Sequence, residues 1–314
     1  MSNSNDFVPI RTTTLRGDLK IPFDIYVRVA GKFILYCRAG ESFEGKRLER
    51  LRAKKIRVMF VKNDDDIPYR QYLEASIDRA YKNSDNPIET RAEVIQGFQQ
   101  AAAEEFFDEP TNEMTYKHAH SSIQRLYHFV NEQPKAAAAL LKIKNDDASV
   151  SHHCLNVALL AMLLAKQNGV TEANIELLGL GCLLHDIDLI DRNIDLTIPK
   201  KDLPPETLQT YLGHPFEGAK RLQASPFIER QVLTIVLQHE ENIKGTGFPN
   251  GLPGVQLDPL VIMAATANAY DQMVSFEKLE HKKAIVNLLM DKVGLYPLNY
   301  IKDLQSILKS LGVA

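Results

Sequence analysis

The chain has 314 residues, 45% of them hydrophobic and 25% charged, which leaves room for about two domains and excludes disordered and fibrous classes. Its 37 Lys and Arg against 40 Asp and Glu give a net charge of -3, too balanced for a protein that grips DNA non-specifically. The longest apolar run, Cys154 to Ala165, contains Asn156 and falls short of the roughly 18 to 20 residues that cross a bilayer; Met1 to Asp6 lacks the basic start and apolar stretch of a secretion signal. No membrane partner and a cytoplasmic location are expected.

Ile25 to Ala30 and Lys32 to Cys37 are β-branched and aromatic runs on either side of Gly31, the pattern of two strands joined by a tight turn. Ile56 to Val61 reads as a third strand, and Glu44 to Lys55, with Leu48 and Leu51 among charges, as a short helix. The basic run Lys46, Arg47, Arg50, Arg52, Lys54, Lys55 and Arg57 has the charge to hold an anion, but such a run on a helix is usually a solvated face. Residues 1–80 are therefore read as a small α+β domain and a candidate sensory or regulatory module that contacts a protein partner. Residues 81–147 read as a helical connector broken by Pro87, Pro110 and Pro134, and 148–314 as an all-helical body. The fold class is mainly α. Cys37, Cys154 and Cys182 sit in apolar stretches without CxxC spacing, which predicts reduced, buried thiols.

Five of the nine histidines fall between 152 and 239, most of them within or at the ends of apolar helices, where an imidazole needs a partner. Ile175 to Ile187 ends in His185-Asp186, adjacent nitrogen and oxygen donors suited to a divalent metal, with the carboxylate able to bridge two ions. In Val150 to Gln167, His152 and His153 lie on neighbouring apolar stripes, and periodicity does not separate them. His214 precedes Pro215 and is expected at a helix start. Phe227 to Glu241 delivers His239 and Glu240 at its C-terminal end. Asp258-Pro259 supplies an N-cap and first-turn proline to a last helix carrying Asn268 and Asp271 on a face of small residues.

This order of groups resembles the HD superfamily of metal-dependent phosphohydrolases, and its HD-GYP branch more sharply. Gln238-His-Glu-Glu-Asn-Ile-Lys-Gly-Thr-Gly-Phe-Pro249 is similar to Q-H-H-E-x-x-D-G-x-G-Y-P; Leu183-Leu-His-Asp-Ile187 to L-L-H-D-I-G-K; His214-Pro-x-x-Gly218 to H-P-x-x-G; and Ala267-Asn-Ala-Tyr-Asp271 to A-D-x-x-D. The resemblance implies an HD-type helical bundle, two iron or manganese ions, and hydrolysis of a cyclic dinucleotide, cyclic di-GMP above all. It implies His153, His185, Asp186 and Asn268 around one ion, with His153 preferred to His152 on this ground alone. Asp186, His214, His239 and Glu240 are implied around the second. Ser149 stands where some members have a Glu for a third ion, so two are expected.

The departures fall mainly around the substrate. Leu189 replaces the Lys of H-D-I-G-K, so a phosphate-facing cation must come from Lys200 or Lys201; Asp186 with these two lysines forms the expected catalytic set. Gly245, Gly247, Phe248 and Pro249 are the expected substrate-binding residues. Phe248 keeps a stacking ring but drops the signature hydroxyl, Lys244 replaces an Asp, and Glu240 replaces a His. An HD-GYP-like signalling protein that holds metal without turnover, or a phosphohydrolase of another nucleotide, are the competing expectations.

Overall fold

The structure, a computed structural model, describes residues 6–17, 19–43, 47–54, 56, 58–82, 86–144 and 148–314. Of the basic run, Lys46, Lys55, Arg57 and the side chain of Arg52 lie outside the described residues. The chain forms two compact units, Met1–Ala101 and Ala102–Ala314.

In the first unit the strands are β1 (Phe7–Arg11), β2 (Ile25–Val29), β3 (Lys32–Cys37) and β4 (Val58–Lys62), in the antiparallel order β1-β4-β2-β3. The expected hairpin is β2–β3: Ala30 and Gly31 both have positive φ, 48° and 79°, the backbone of a primed turn whose twist matches the strands it joins. Strand β1 escaped the sequence reading because Pro9 interrupts its pattern. It lies at the sheet edge, where the missing N–H leaves no central ladder bond unmade. Helix α1 (Arg47–Ala53) follows the expected short helix, and Arg47, Arg50 and Lys54 are exposed on it and its end, a solvated face. Helix α2 (Asp66–Lys82) buries Tyr69 and Tyr72, each edge-on to Phe23 with ring centroids 5.6 Å apart.

Helix α3 (Ile88–Asp108) contains the boundary between the units. The second unit is helical throughout: α4 (Glu113–Glu132), α5 (Ala136–Leu141), α6 (Val150–Gln167), α7 (Glu172–Leu184), α8 (Pro205–Gln223), α9 (Arg230–Gln238), α10 (Pro259–Ser275), α11 (His281–Asp291) and α12 (Leu298–Ser310). Helices α6 and α7 are apolar around almost their whole circumference, which dictates a central position. They pack on each other, with α10 against α6, α9 against α7, and α8 against α9. Asp258 caps α10 as expected, its carboxylate accepting from the Leu260 N–H at 2.8 Å, with Pro259 in the first turn. It is not the last helix, since α11 and α12 follow.

One boundary is corrected. His214 lies well inside α8, not at its start, because Pro204 and Pro205 open the helix a full ten residues earlier, with Pro205 at the first helical position. Pro215 is then an interior proline without an N–H, and the carbonyl four residues before it, that of Tyr211, lacks its usual backbone donor. The His214 Nδ1–H donates to that carbonyl. A helix defect thus becomes the anchor of an imidazole.

The three cysteines are buried and unpaired, as expected. Burial pushes the Cys37 thiol up to about 11, with help from Glu41, and Cys182 up to about 12; it also raises Cys154. Thiols are the nucleophiles only as thiolates. Iodoacetamide at pH 7 is therefore expected to add no mass to the native protein and three carbamidomethyl groups after denaturation, read by intact mass spectrometry.

Candidate metal centre

Four histidines from four helical elements meet around one buried carboxylate. His153 is on α6, His185 and Asp186 directly follow α7, His214 is within α8, and His239 directly follows α9. Asp186 is 2% exposed, and all four imidazoles are equally buried. Its Oδ1 lies 3.1 Å from His214 Nε2 and 3.4 Å from His239 Nε2, while its Oδ2 lies 3.3 Å from His185 Nε2 and 3.7 Å from His153 Nε2. One carboxylate oxygen therefore serves each pair of imidazoles, giving the two donor groups His153–His185–Asp186 and Asp186–His214–His239. The chain brings His153 to the cluster; His152, also buried, belongs to neither group.

The tautomers follow from local helix chemistry. The last turn of a helix leaves carbonyls without backbone donors. His185 Nδ1 takes the Cys182 carbonyl at 2.6 Å and His239 Nδ1 takes the Val236 carbonyl at 2.8 Å, each three residues back, as His214 does with Tyr211. His153 Nδ1 is held instead by Asp271 Oδ2 at 2.7 Å, and Ser275 Oγ donates to the same oxygen at 2.7 Å. With each Nδ1 carrying the proton, each Nε2 presents a lone pair to the cluster, the arrangement by which outer hydrogen bonds orient metal-binding imidazoles.

These lone pairs need a cation. His214 Nε2 and His239 Nε2 are 2.9 Å apart, two acceptors face to face; His153 Nε2 faces Asn268 Oδ1 at 3.0 Å; and His185 Nε2 is buried without a hydrogen-bond donor. Neutral imidazoles and a carboxylate without thiolate are donors for a divalent metal, and the residues present fit one. Burial lowers His239 to about 4, with the Asp186 hydrogen bond opposing, so it is neutral at pH 7. Against its burial, the Asp186 charge raises His185 well above the usual imidazole range, and His185 foremost, with hydrogen bonds to His214 and His239, holds Asp186 well below the usual carboxylate range; a bound cation would take the place of that His185 proton.

Glu240 is oriented differently. Its Oε1 accepts from Gln272 Nε2 at 2.6 Å, the Tyr211 hydroxyl at 3.0 Å and Asn268 Nδ2 at 3.3 Å, and its Oε2 from Lys200 at 3.1 Å. Burial works against its charge, yet Lys200, His239 and His214 bring it down to about 2. It is in neither donor group. Lys200 Nζ also lies 4.7 Å from the centre of the Tyr211 ring and 5.4 Å from that of Phe248, so of the two lysines it is the one that reaches the site. Lys201 is exposed and makes no hydrogen bond or ion pair to the cluster. Leu189, at the position of the absent lysine, is buried with Cys154 and Tyr211 in an apolar cluster.

Gly245, Gly247, Phe248 and Pro249 lie together on the loop after α9, where the Phe248 ring centre is 6.0 Å from those of Tyr211 and His214. Glu241 is the residue that sequence reasoning left without a role, although it is the Glu of the Q-H-H-E resemblance. Fully buried, it accepts the backbone N–H groups of Asn250, Gly251 and Leu252 at 2.8, 3.0 and 3.0 Å and so fixes the loop. Tyr211 and Gln272, which hold Glu240, were missed as well; neither carries a motif. A Cβ on Gly247 would stand 2.5 Å from both the Glu240 carbonyl oxygen and the Glu241 Cα. Gly247→Ala is therefore expected to cost about 1 to 3 kcal/mol, the usual range for overpacking, in urea unfolding followed by circular dichroism.

A family model described as an HD domain matches residues 150–273, the span that supplies every group of the cluster. Among solved structures, Bd1817, described as a HDG"Y"P protein from Bdellovibrio bacteriovorus, is 40% identical, with a TM-score of 0.89 over 97% of this chain and 100% of that one. Two curated relatives are the cyclic di-GMP phosphodiesterase PA4108 of Pseudomonas aeruginosa, 31% identical over 50% of this chain and 38% of its own, and the cyclic di-GMP phosphodiesterase response regulator RpfG of Xanthomonas campestris pv. campestris, 26% identical over 73% and 61%. The chain thus spans less than two thirds of either curated relative. No helix among the described residues is long and apolar enough to cross a membrane. With the convergence of His153, His185, Asp186, His214 and His239 on one point and a full-length likeness to Bd1817, the chain belongs to the HD-GYP family of HD-domain proteins.

Proposed function

We propose that the chain is a binuclear metal-dependent phosphodiesterase acting on a cyclic dinucleotide, cyclic di-GMP first. The observation that carries this reading is the split carboxylate of Asp186, one oxygen toward His214 and His239, the other toward His153 and His185. His153, His185 and Asp186, with Asn268, hold one ion; Asp186, His214 and His239 hold the other, with Glu240 beside them. The nitrogen and oxygen donors suit iron or manganese. When bound, such a pair activates water and neutralises phosphate charge. The chain's own residues do the rest. The Nδ1 hydrogen bonds keep the imidazoles oriented, Lys200 offers a cation to a phosphate, and Phe248, on the loop of Gly245, Gly247 and Pro249, offers a ring to a base. The names of PA4108 and RpfG support cyclic di-GMP as the substrate.

The test is incubation with cyclic di-GMP and Mn²⁺ followed by product chromatography. Appearance of linear dinucleotide or mononucleotide supports the reading, and unchanged substrate overturns it. A second reading, a metal-binding signalling protein without turnover, is favoured by Glu240, whose carboxylate is already occupied by four donors. Measurable cyclic di-GMP binding with unchanged substrate selects that reading.

A further inference from the structure

Asn156 interrupts the longest apolar run of the sequence, and the metal cluster does not account for it. It lies on α6, is 4% exposed, and its side-chain amide makes no hydrogen bond among the described residues. The amide is not sealed in the core but keeps contact with open space at a cavity wall, so its donor and acceptor are available to a ligand there. The amide lines a cavity of about 350 Å³ in the second unit, between the turn after α5, the end of α10 and the start of α11. That volume lies within the usual range of small-molecule sites, about 300 to 1,000 Å³.

The lining has three parts. Leu141, Val274, Leu279 and Val313 offer apolar surface. His281 is a fixed wall: one ring nitrogen faces the Tyr270 hydroxyl at 2.8 Å, the other the Leu141 carbonyl at 3.0 Å. Lys142 and Lys144 are exposed lining residues without an ion-pair partner among the described residues, and Lys278 and Glu280 are exposed on the same lining, so three lysines stand against one carboxylate there. None of the lining residues is in the His–Asp cluster.

We propose that this cavity is a second ligand site, for a purine nucleoside monophosphate. An asparagine amide, one donor beside one acceptor, matches the donor–acceptor edge of a purine. The apolar walls cover the flat ring, and the two lysines neutralise the phosphate as point charges. The site stands on Asn156 and the lysines and does not depend on the reaction at the metal centre. Ser275 lines the cavity and donates to Asp271, which holds His153, so the test has to keep the two sites apart.

Isothermal titration of the full chain with AMP and with GMP is the experiment, with inorganic phosphate as a probe of the lysines alone. At least one nucleotide is expected to bind with a Kd on the order of 10 to 100 µM, the scale reached by a well-seated ligand of that size. Asn156→Leu is expected to weaken binding at least tenfold while leaving the protein folded by circular dichroism, because the amide makes no hydrogen bond within the chain for the substitution to break. Lys142→Glu with Lys144→Glu, on the exposed surface, is expected to weaken it at least tenfold whether or not Asn156→Leu folds. Asp186→Ala is expected to bind as the wild type does, and phosphate at least tenfold more weakly than the nucleotide. The proposal is overturned if neither nucleotide binds, if binding survives the lysine pair or a folded Asn156→Leu variant, or if Asp186→Ala abolishes it, which would move the nucleotide to the metal cluster.

Discussion

Asp186→Ala is expected to empty the metal centre and to lower cyclic di-GMP turnover by on the order of 10³-fold or more. The size follows from position. Removing a group that only orients a ligand typically costs 10- to 100-fold, whereas Asp186 lies in both donor groups, so one substitution takes an oxygen donor from each. It also removes the anion within 4 Å of four imidazoles. The variant is expected to remain folded, since the apolar faces of α6 and α7 are untouched. Elemental analysis of purified protein is expected to give about two equivalents of iron or manganese in the wild type and less than a tenth of that in the variant. The double variant His185→Ala with Asp186→Ala is expected to match it. Wild-type protein free of transition metal after expression in metal-supplemented medium, and unable to take any up, would show that the convergent lone pairs serve packing alone.

The convergence of His153, His185, Asp186, His214 and His239 was legible because metal chemistry uses few residue types and the family's spacing fixes them, whereas Glu240, expected among the ligands, is in neither donor group. His185-Asp186 after an apolar helix pointed to a bridging carboxylate, and the carboxylate is split between two pairs of imidazoles. His153 could be told from His152 only by resemblance, since both are buried on α6 and the difference is which of them meets Asp271. The start of α8 was misread because Pro215 resembles a first-turn proline; Pro204-Pro205 had the stronger claim. Strand β1 was hidden by Pro9. Of the support around Glu240 only Lys200 was named in advance, as a phosphate-facing cation and not as a partner of Glu240. Tyr211, Gln272 and Lys200 come from positions 29, 32 and 40 residues away and share no pattern, because a hydrogen-bond network needs only atoms within reach. Glu241 was visible as a letter of a motif, and its partners are backbone N–H groups, which carry no sequence signature.

Lys200→Met is expected to leave metal content unchanged and to lower kcat/KM for cyclic di-GMP by about 10- to 100-fold, roughly 1.4 to 2.7 kcal/mol. The position that carries the family's lysine holds Leu189, buried in an apolar cluster, so no cation reaches the site from there. Lys200 reaches it from the far side of Tyr211 and Phe248, with its ammonium 3.1 Å from Glu240 and its stem on the surface. A lysine so placed has two duties, a counter-charge to Glu240 and a donor to an arriving phosphate. The substitution separates them. Lys200 is the nearest full charge holding Glu240 down to about 2, and without it burial raises that carboxyl toward the ordinary range. If counter-charge is the whole of its duty, the loss of activity is confined to acidic pH, where Glu240 takes up a proton, and disappears above about pH 7. If the phosphate contact matters as well, the loss persists at pH 8, and Lys200→Arg, which keeps the charge, recovers most of it. Lys201→Met is expected to change neither quantity, since that side chain points to solvent. A Lys200→Met enzyme with wild-type kcat/KM at every pH would remove the lysine from the reaction and leave Glu240 held by its hydrogen bonds from Gln272, Tyr211 and Asn268.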